Sequence, residues 1–128
     1  MESTVNVAGA ALHLPVLNFK ELELLREDMG GNIDGLIKKF LEKLPVRIDA
    51  ICAAAESGDL EALVAEAHRL KGGSRSLGAD ALAEYCSVLE RLGKQGDHHQ
   101  ARQYVVPLQE SARLLHRELD QLLLHGNE

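Results

Sequence analysis

The sequence predicts an all-α protein, an antiparallel four-helix bundle with an additional short N-terminal helix, and three observations carry that expectation. Apolar residues make up 45% of the chain but aromatics only 3%, with no Trp, so the core has to be assembled from Leu, Ala, Val and Ile. Such a composition suits packed helices better than a β-sandwich. From Asn18 onward the apolar residues recur at spacings of three and four, and no strand-like alternation is visible. Short connections between these periodic stretches make successive helices antiparallel neighbours. At 128 residues one core is expected, with residues 1–17 an N-terminal extension that can be flexible and residues 18–128 the bundle domain.

Taken in order, Asn18 and Glu21 form a capping box. It opens a short helix with Leu22, Leu25 and Met29 on one face, closed by Gly30-Gly31. A second helix is predicted from Asn32 or Ile33 to Ser57 on the stripe Ile33, Leu36, Ile37, Phe40, Leu41, Leu44, Ile48, Ile51 and Ala55. Pro45 should bend or locally loosen it, because it lacks an N–H and its ring crowds the preceding turn. Ser57-Gly58-Asp59 reads as a stop followed by an N-cap. The third helix then takes Leu60, Leu63, Val64, Ala67, Leu70, Ser74 and Leu77, and ends at Gly78. The fourth starts at Ala79 or Asp80, buries Leu82, Tyr85, Cys86, Leu89 and Leu92, and runs out over Gly93 to Gly96. Asp97 caps a fifth helix, predicted over 98–124 with Tyr104, Val105, Leu108, Ala112, Leu115, Leu119 and Leu122 on its stripe and Pro107 as an early interruption.

Several function classes fall away. The net charge is -6 and no basic stripe or run of stacking aromatics appears, so nucleic acid is not an expected partner. No stretch approaches the roughly 20 uninterrupted apolar residues that span a bilayer. The apolar patch from Val5 to Leu17 has no Lys or Arg before it, as a secretory signal would need. A cytoplasmic monomer with no membrane contact is expected, and Met1 without a receiver or kinase segment leans towards a free-standing protein. Cys52 and Cys86 lie within helical apolar patterns and read as small buried thiols. There is no Walker-type phosphate loop and no kinase-like glycine box. His98 and His99 stand at a loop-to-helix junction, and His116 and His125 lack partners at i+4, so these read as solvated residues rather than a metal site. His13 lies in the unassigned N-terminal segment.

His68 is different. On a helical wheel it lies about 120° from the centre of the third helix's apolar stripe, which exposes it. Lys71 and Arg75, at i+3 and i+7, project within about 60° and 20° of its direction, so two cations flank one imidazole. Gly72 shares that surface. Two glycines, Gly72 and Gly73, inside a periodic helix cost roughly 1 kcal/mol each relative to Ala. Because Ser74 and Leu77 continue the stripe, a continuous helix is favoured over an αL cap at Gly72, and the missing side chain leaves a bare patch where another protein's loops can approach the ring.

If the third and fourth helices turn near Leu77-Gly78, the axial levels of His68 and Glu90 differ by only about 3 to 4 Å at 1.5 Å per residue. Glu90 sits at the margin of its own stripe and can reach the ring. A carboxylate that accepts from Nδ1–H fixes the tautomer whose Nε2 lone pair is free, and it stabilises the charge the ring gains when Nε2 takes a phosphoryl group. Lys71, and Arg75 with it, would then offset the phosphate's charge.

The run Ala67-His68-Arg69-Leu70-Lys71-Gly72-Gly73-Ser74-Arg75-Ser76-Leu77-Gly78-Ala79, followed by Leu82, Cys86, Leu89 and Glu90, closely resembles the signature of histidine-containing phosphotransfer (HPt) domains. The helical pattern resembles the family from Ile33 to Leu124. The resemblance implies that His68 is phosphorylated, that Lys71 assists with the phosphate, that the small Gly72 admits a receiver domain, and that Glu90 matches the polar residue hydrogen-bonded to the ring. Arg75 is not carried over by the resemblance, and its role rests on the wheel alone; Gly73 is read with Gly72 as part of the partner-binding face.

The expected function is a phosphorelay intermediate, a phosphocarrier rather than an enzyme, with no ATP site of its own. It would take a phosphoryl group from a receiver aspartate and pass it to another. Its partners would be the receiver domains of response regulators and a hybrid sensor kinase. No cofactor is expected on this chain, and Mg²⁺ is expected in the partner receiver. The competing readings are a non-catalytic helical adaptor that uses the same face, and a histidine-phosphoryl enzyme such as a dimeric kinase module or a phosphatase.

Overall fold

A computed structural model describes residues 4–6 and 13–125. Six α-helices follow one another: α1 (Phe19–Met29), α2 (Ile33–Ser57), α3 (Leu60–Ser76), α4 (Asp80–Lys94), α5 (His98–Gln103) and α6 (Val105–His125). A 3₁₀ turn, Gly30–Asn32, joins α1 to α2. Around the bundle α2 packs on α3 and α6, and α4 packs on the same two helices from the other side. The core is the expected Leu, Ile, Val and Ala set, with Ile37, Ile51, Leu63, Leu70, Leu89, Leu108, Leu115 and Leu119 fully buried.

Most helix ends lie where the local chemistry places them. The Asn18 side chain accepts from the Glu21 N–H, Asp59 from Ala62 and Asp97 from Gln100, so each satisfies one of the orphan donors of a first turn. Gly78, at φ +79°, closes α3: its own N–H reaches the Arg75 carbonyl and that of Ala79 reaches Ser74 at 2.8 Å, the Schellman arrangement. The turn it makes is also where α1 is anchored, because the Asn18 N–H donates to the Gly78 carbonyl and the Asn18 amide to Asp80. A Cβ on Gly78 would come within 2.8 Å of the Asn18 carbonyl oxygen.

Two expectations need correction. The helix predicted over 98–124 is two helices broken at Tyr104. Pro107 explains the position of the break: it cannot bond the carbonyl four residues back, at Gln103, and its ring crowds that carbonyl. Pro45, by contrast, lies inside α2 as expected, and the helix continues through it, held between turns whose Leu41, Leu44 and Ile48 are buried. The fourth helix runs out within the expected Gly93 to Gly96 stretch, at Lys94, and at Gly93 an added Cβ would sit 2.7 Å from Val64; α3 and α4 are close there because Gly93 has no side chain. Finally, Thr4–Asn6 and His13–Pro15 pair as antiparallel three-residue strands, too short for alternation to be legible.

Of the segment 1–17, residues 1–3 and 7–12 lie outside the described residues. Val16 and Leu17 belong to the buried core, so the core draws on that segment as well as on 18–128. Among the described residues no helix is long and apolar enough to cross a membrane.

Candidate functional site

The site is built on facing sides of α3 and α4. His68 lies on the exposed side of α3, its side chain 69% accessible, while Ala67 and Leu70 face the core. Glu90 lies on α4 between buried Leu89 and exposed Arg91, and is itself buried. The two helices bring His68 Nδ1 to 3.1 Å from Glu90 Oε2. Lys71, one turn along α3 and mostly covered, donates to Glu90 Oε1 at 2.6 Å. Lys94, one turn along α4, reaches Oε2 at 3.1 Å.

The electrostatics fix the ring's tautomer. The Lys71 ammonium, followed by the bonds from Lys94 and His68, outweighs the opposing effect of burial and holds the Glu90 carboxyl at about 2. Near neutrality Glu90 is therefore ionised and can only accept. For the 3.1 Å contact to be a hydrogen bond, Nδ1 must carry the hydrogen. In the neutral ring Nε2 is then an unprotonated lone pair, and no hydrogen bond from another described residue occupies it.

Around the ring the surface is bare. Gly72 is exposed within continuous α3, has no positive φ, and a Cβ built there meets nothing within 4 Å. Gly73 points elsewhere, with its missing Cβ 3.6 Å from the Phe40 ring of α2. Beside it a groove of about 310 Å³ runs between α2 and α3, floored by Leu36, Phe40, Leu70 and Leu77 and edged by Lys39, Lys43, Arg47 and Arg69. Arg75 is exposed and forms no ion pair among the described residues.

The structure thus unites His68, Lys71 and Glu90, with Gly72 alongside. Lys71 makes a contact the helical wheel does not foretell: its ammonium grips Glu90. Lys94 was missed from the sequence, although a Glu four residues before a Lys on one helix is a recognisable pairing. The thiols of Cys52 and Cys86 are buried and free, and burial pushes Cys86 up to about 12.

His98 departs from the solvated reading, and His116 from the expected lack of an i+4 partner. His116 has an acidic partner at i+4, Asp120, at 3.3 Å. The His98 Nε2–H donates to the Ala55 carbonyl at 2.7 Å, capping the end of α2. The side chains of His13 and His125 lie outside the described residues. Among the described residues no three His, Cys, Asp or Glu side chains group as a metal site would require.

Comparison with known proteins agrees with this fold. The family model of the Hpt domain matches residues 35–124. The chain is similar to the phosphorelay protein LuxU of Vibrio vulnificus strain YJ016, with 32% identity over 96 residues covering 74% of this chain and 84% of that protein. Among solved structures it resembles histidine-containing phosphotransfer protein B of Pseudomonas aeruginosa PAO1, at a TM-score of 0.82 and 29% identity, covering 86% of this chain and 96% of that one. The HPT domain of a sensor hybrid histidine kinase from Shewanella has the same fold, at a TM-score of 0.74 and 18% identity over 84% of this chain and 93% of that one.

Proposed function

The chain belongs to the Hpt domain family and is a phosphotransfer intermediate of two-component relays, and on that premise we propose that His68 is the residue that carries the phosphoryl group. One observation supports this above the others: an exposed imidazole whose Nδ1–H is committed to a buried carboxylate while its Nε2 is left open. In the transfer, the Nε2 lone pair attacks the phosphorus of a receiver's aspartyl phosphate. The P–N bond forms as the P–O bond to the aspartate breaks, and the aspartate leaves as a carboxylate with the bonding pair. The ring keeps its Nδ1 proton and becomes cationic, and Glu90 stabilises that charge. Transfer onward reverses these steps on a second receiver.

In this reading Lys71 acts first by holding Glu90 in place and charged. Arg75, exposed and without an ion-pair partner among the described residues, is available to the phosphate or to the receiver. The bare helix at Gly72 and the cation-edged groove beside Gly73 suit a partner that brings an acidic pocket, as an aspartate-bearing receiver does. The receiver would bring the Mg²⁺ and most of the charge stabilisation, while this chain contributes an oriented nucleophile. It would need no ATP site, and a cytoplasmic monomer fits that role.

The test is incubation with phosphorylated receiver domains, followed by analysis of acid-labile phosphate on this chain. Label is expected on His68 and nowhere else, and label retained by the His68→Gln variant would remove His68 as the carrier.

A further inference from the structure

Glu90 Oε2 serves two donors. His68 Nδ1 and Lys94 Nζ each lie 3.1 Å from this one oxygen, while Lys71 has Oε1. Lys94 is two-thirds exposed and its spacing to Glu90 is the ordinary helical i,i+4, so by position alone it would be one more surface ion pair of little consequence. Its acceptor sets it apart. Glu110 pairs with Arg113, and Glu23 with Arg26, through carboxylates more than half exposed, whereas the Glu90 side chain is only 9% accessible and is the same group that orients the candidate nucleophile.

A cation on Oε2 draws charge away from the bond to Nδ1–H. In the phosphorylated ring that bond stabilises a positive charge, and the charge disappears when the P–N bond breaks and its electron pair returns to Nε2. A weaker hold by Glu90 therefore leaves the phosphorylated ring less stable relative to the products of P–N cleavage.

We propose that Lys94 is a positioning residue that limits the grip of Glu90 on the His68 ring, and thereby shortens the lifetime of the phosphohistidine. This rests on His68 being the carrier. Lys71 keeps the carboxylate in place through the other oxygen, so Lys94 adjusts the strength of the contact rather than creating it.

The experiment compares wild type with Lys94→Gln and Lys94→Arg, each labelled with phosphoramidate, a small donor that needs no docking surface. Hydrolysis by water, which yields free phosphate and the unmodified ring, is then followed. Loss of the charge in Lys94→Gln is expected to lengthen the phosphohistidine half-life about two- to five-fold, the scale of a solvent-screened ion pair. In the unphosphorylated protein the Nδ1 proton resonance of His68 should move downfield, and Lys94→Arg should restore both values. A Gln variant with the wild-type half-life and Nδ1 resonance, or an Arg variant that behaves like Gln, would overturn the proposal. If wild type takes no label on His68, the carrier reading fails and the lifetime claim with it, while the Nδ1 resonance still decides whether Lys94 limits the grip.

Discussion

His68 and His98 each stand beside a glycine at the edge of the same bundle, yet their surroundings give the two rings opposite uses. At His68 the acceptor is a charged side chain that takes Nδ1 and leaves Nε2 open, and the neighbouring Gly72 has empty space where a Cβ would be. At His98 the acceptor is the Ala55 carbonyl, which takes Nε2 itself, and the ring lies against Gly58, where a Cβ would come within 3.1 Å of it. One imidazole is left exposed with its Nε2 open and the other is spent on closing the end of a helix. The lesson is that the nitrogen left unbonded, more than the presence of a histidine near a loop, separates a chemical site from a structural one.

The contrast is broken most severely by exchanging the losses. His68→Gln should abolish phosphoryl acceptance and leave the melting temperature nearly unchanged, since the ring is exposed. His98→Ala should keep wild-type labelling but lose about 1–2 kcal/mol of stability, because it strips the donor from a carbonyl at the end of α2. Thermal melts and acid-labile phosphate on the two variants decide it, and a His98→Ala protein that melts like wild type would make the helix-end bond incidental.

A second test reaches His68 through packing. Gly93→Ala places a methyl 2.7 Å from Val64 Cγ2, so Val64 must shift or α3 and α4 must separate, at a cost of about 1–3 kcal/mol. Transfer should slow because the Glu90 contact crosses that interface. Combining it with Val64→Ala should recover both stability and rate; recovery of neither would mean that Gly93 does not set the spacing.

Acid distinguishes the two acceptors, since a backbone carbonyl does not titrate in this range. Glu90 is held below its ordinary value, so its stabilising contribution is complete above about 4.5 and disappears as the pH falls towards about 2. Urea melts between pH 6 and pH 2 should therefore show an acid-dependent loss in wild type that is reduced in Glu90→Gln. Equal slopes for both proteins would contradict the charged anchor.

The smallest effects come from Gly72 and Gly58. Gly72→Ala should gain up to about 1 kcal/mol on an open helical surface, whereas Gly58→Ala should lose a similar amount because Gly58 sits at φ +80° with the His98 ring against it. Chemical denaturation of the pair checks the opposite signs, and a destabilised Gly72→Ala would mean that its surface is not open.

Much of this was legible beforehand because it is local. Asn18, Asp59 and Asp97 act on N–H groups three residues away, Gly78 closes its own turn, and the apolar stripes follow from the helical repeat alone. The exposure of His68, its nearness to Gly72 and the reach of Glu90 followed from wheel angles and rise per residue. The interruption expected at Pro107 lies at Tyr104 instead, because the effect of a proline falls on the carbonyl four residues earlier.

The sequence by itself thus determined the helices, most of their ends, and which residues share the His68 face, since each depends on groups within about one or two turns. Only the tertiary structure decided that Lys71 would spend its charge on Glu90, that Lys94 would share the oxygen used by His68, that Gly93 would admit Val64, and that His98 would cap α2. Those pairings depend on the rotation and separation of neighbouring helices to within an ångström or so. That precision is set by the packing of the whole core, and no single helix's repeat carries it.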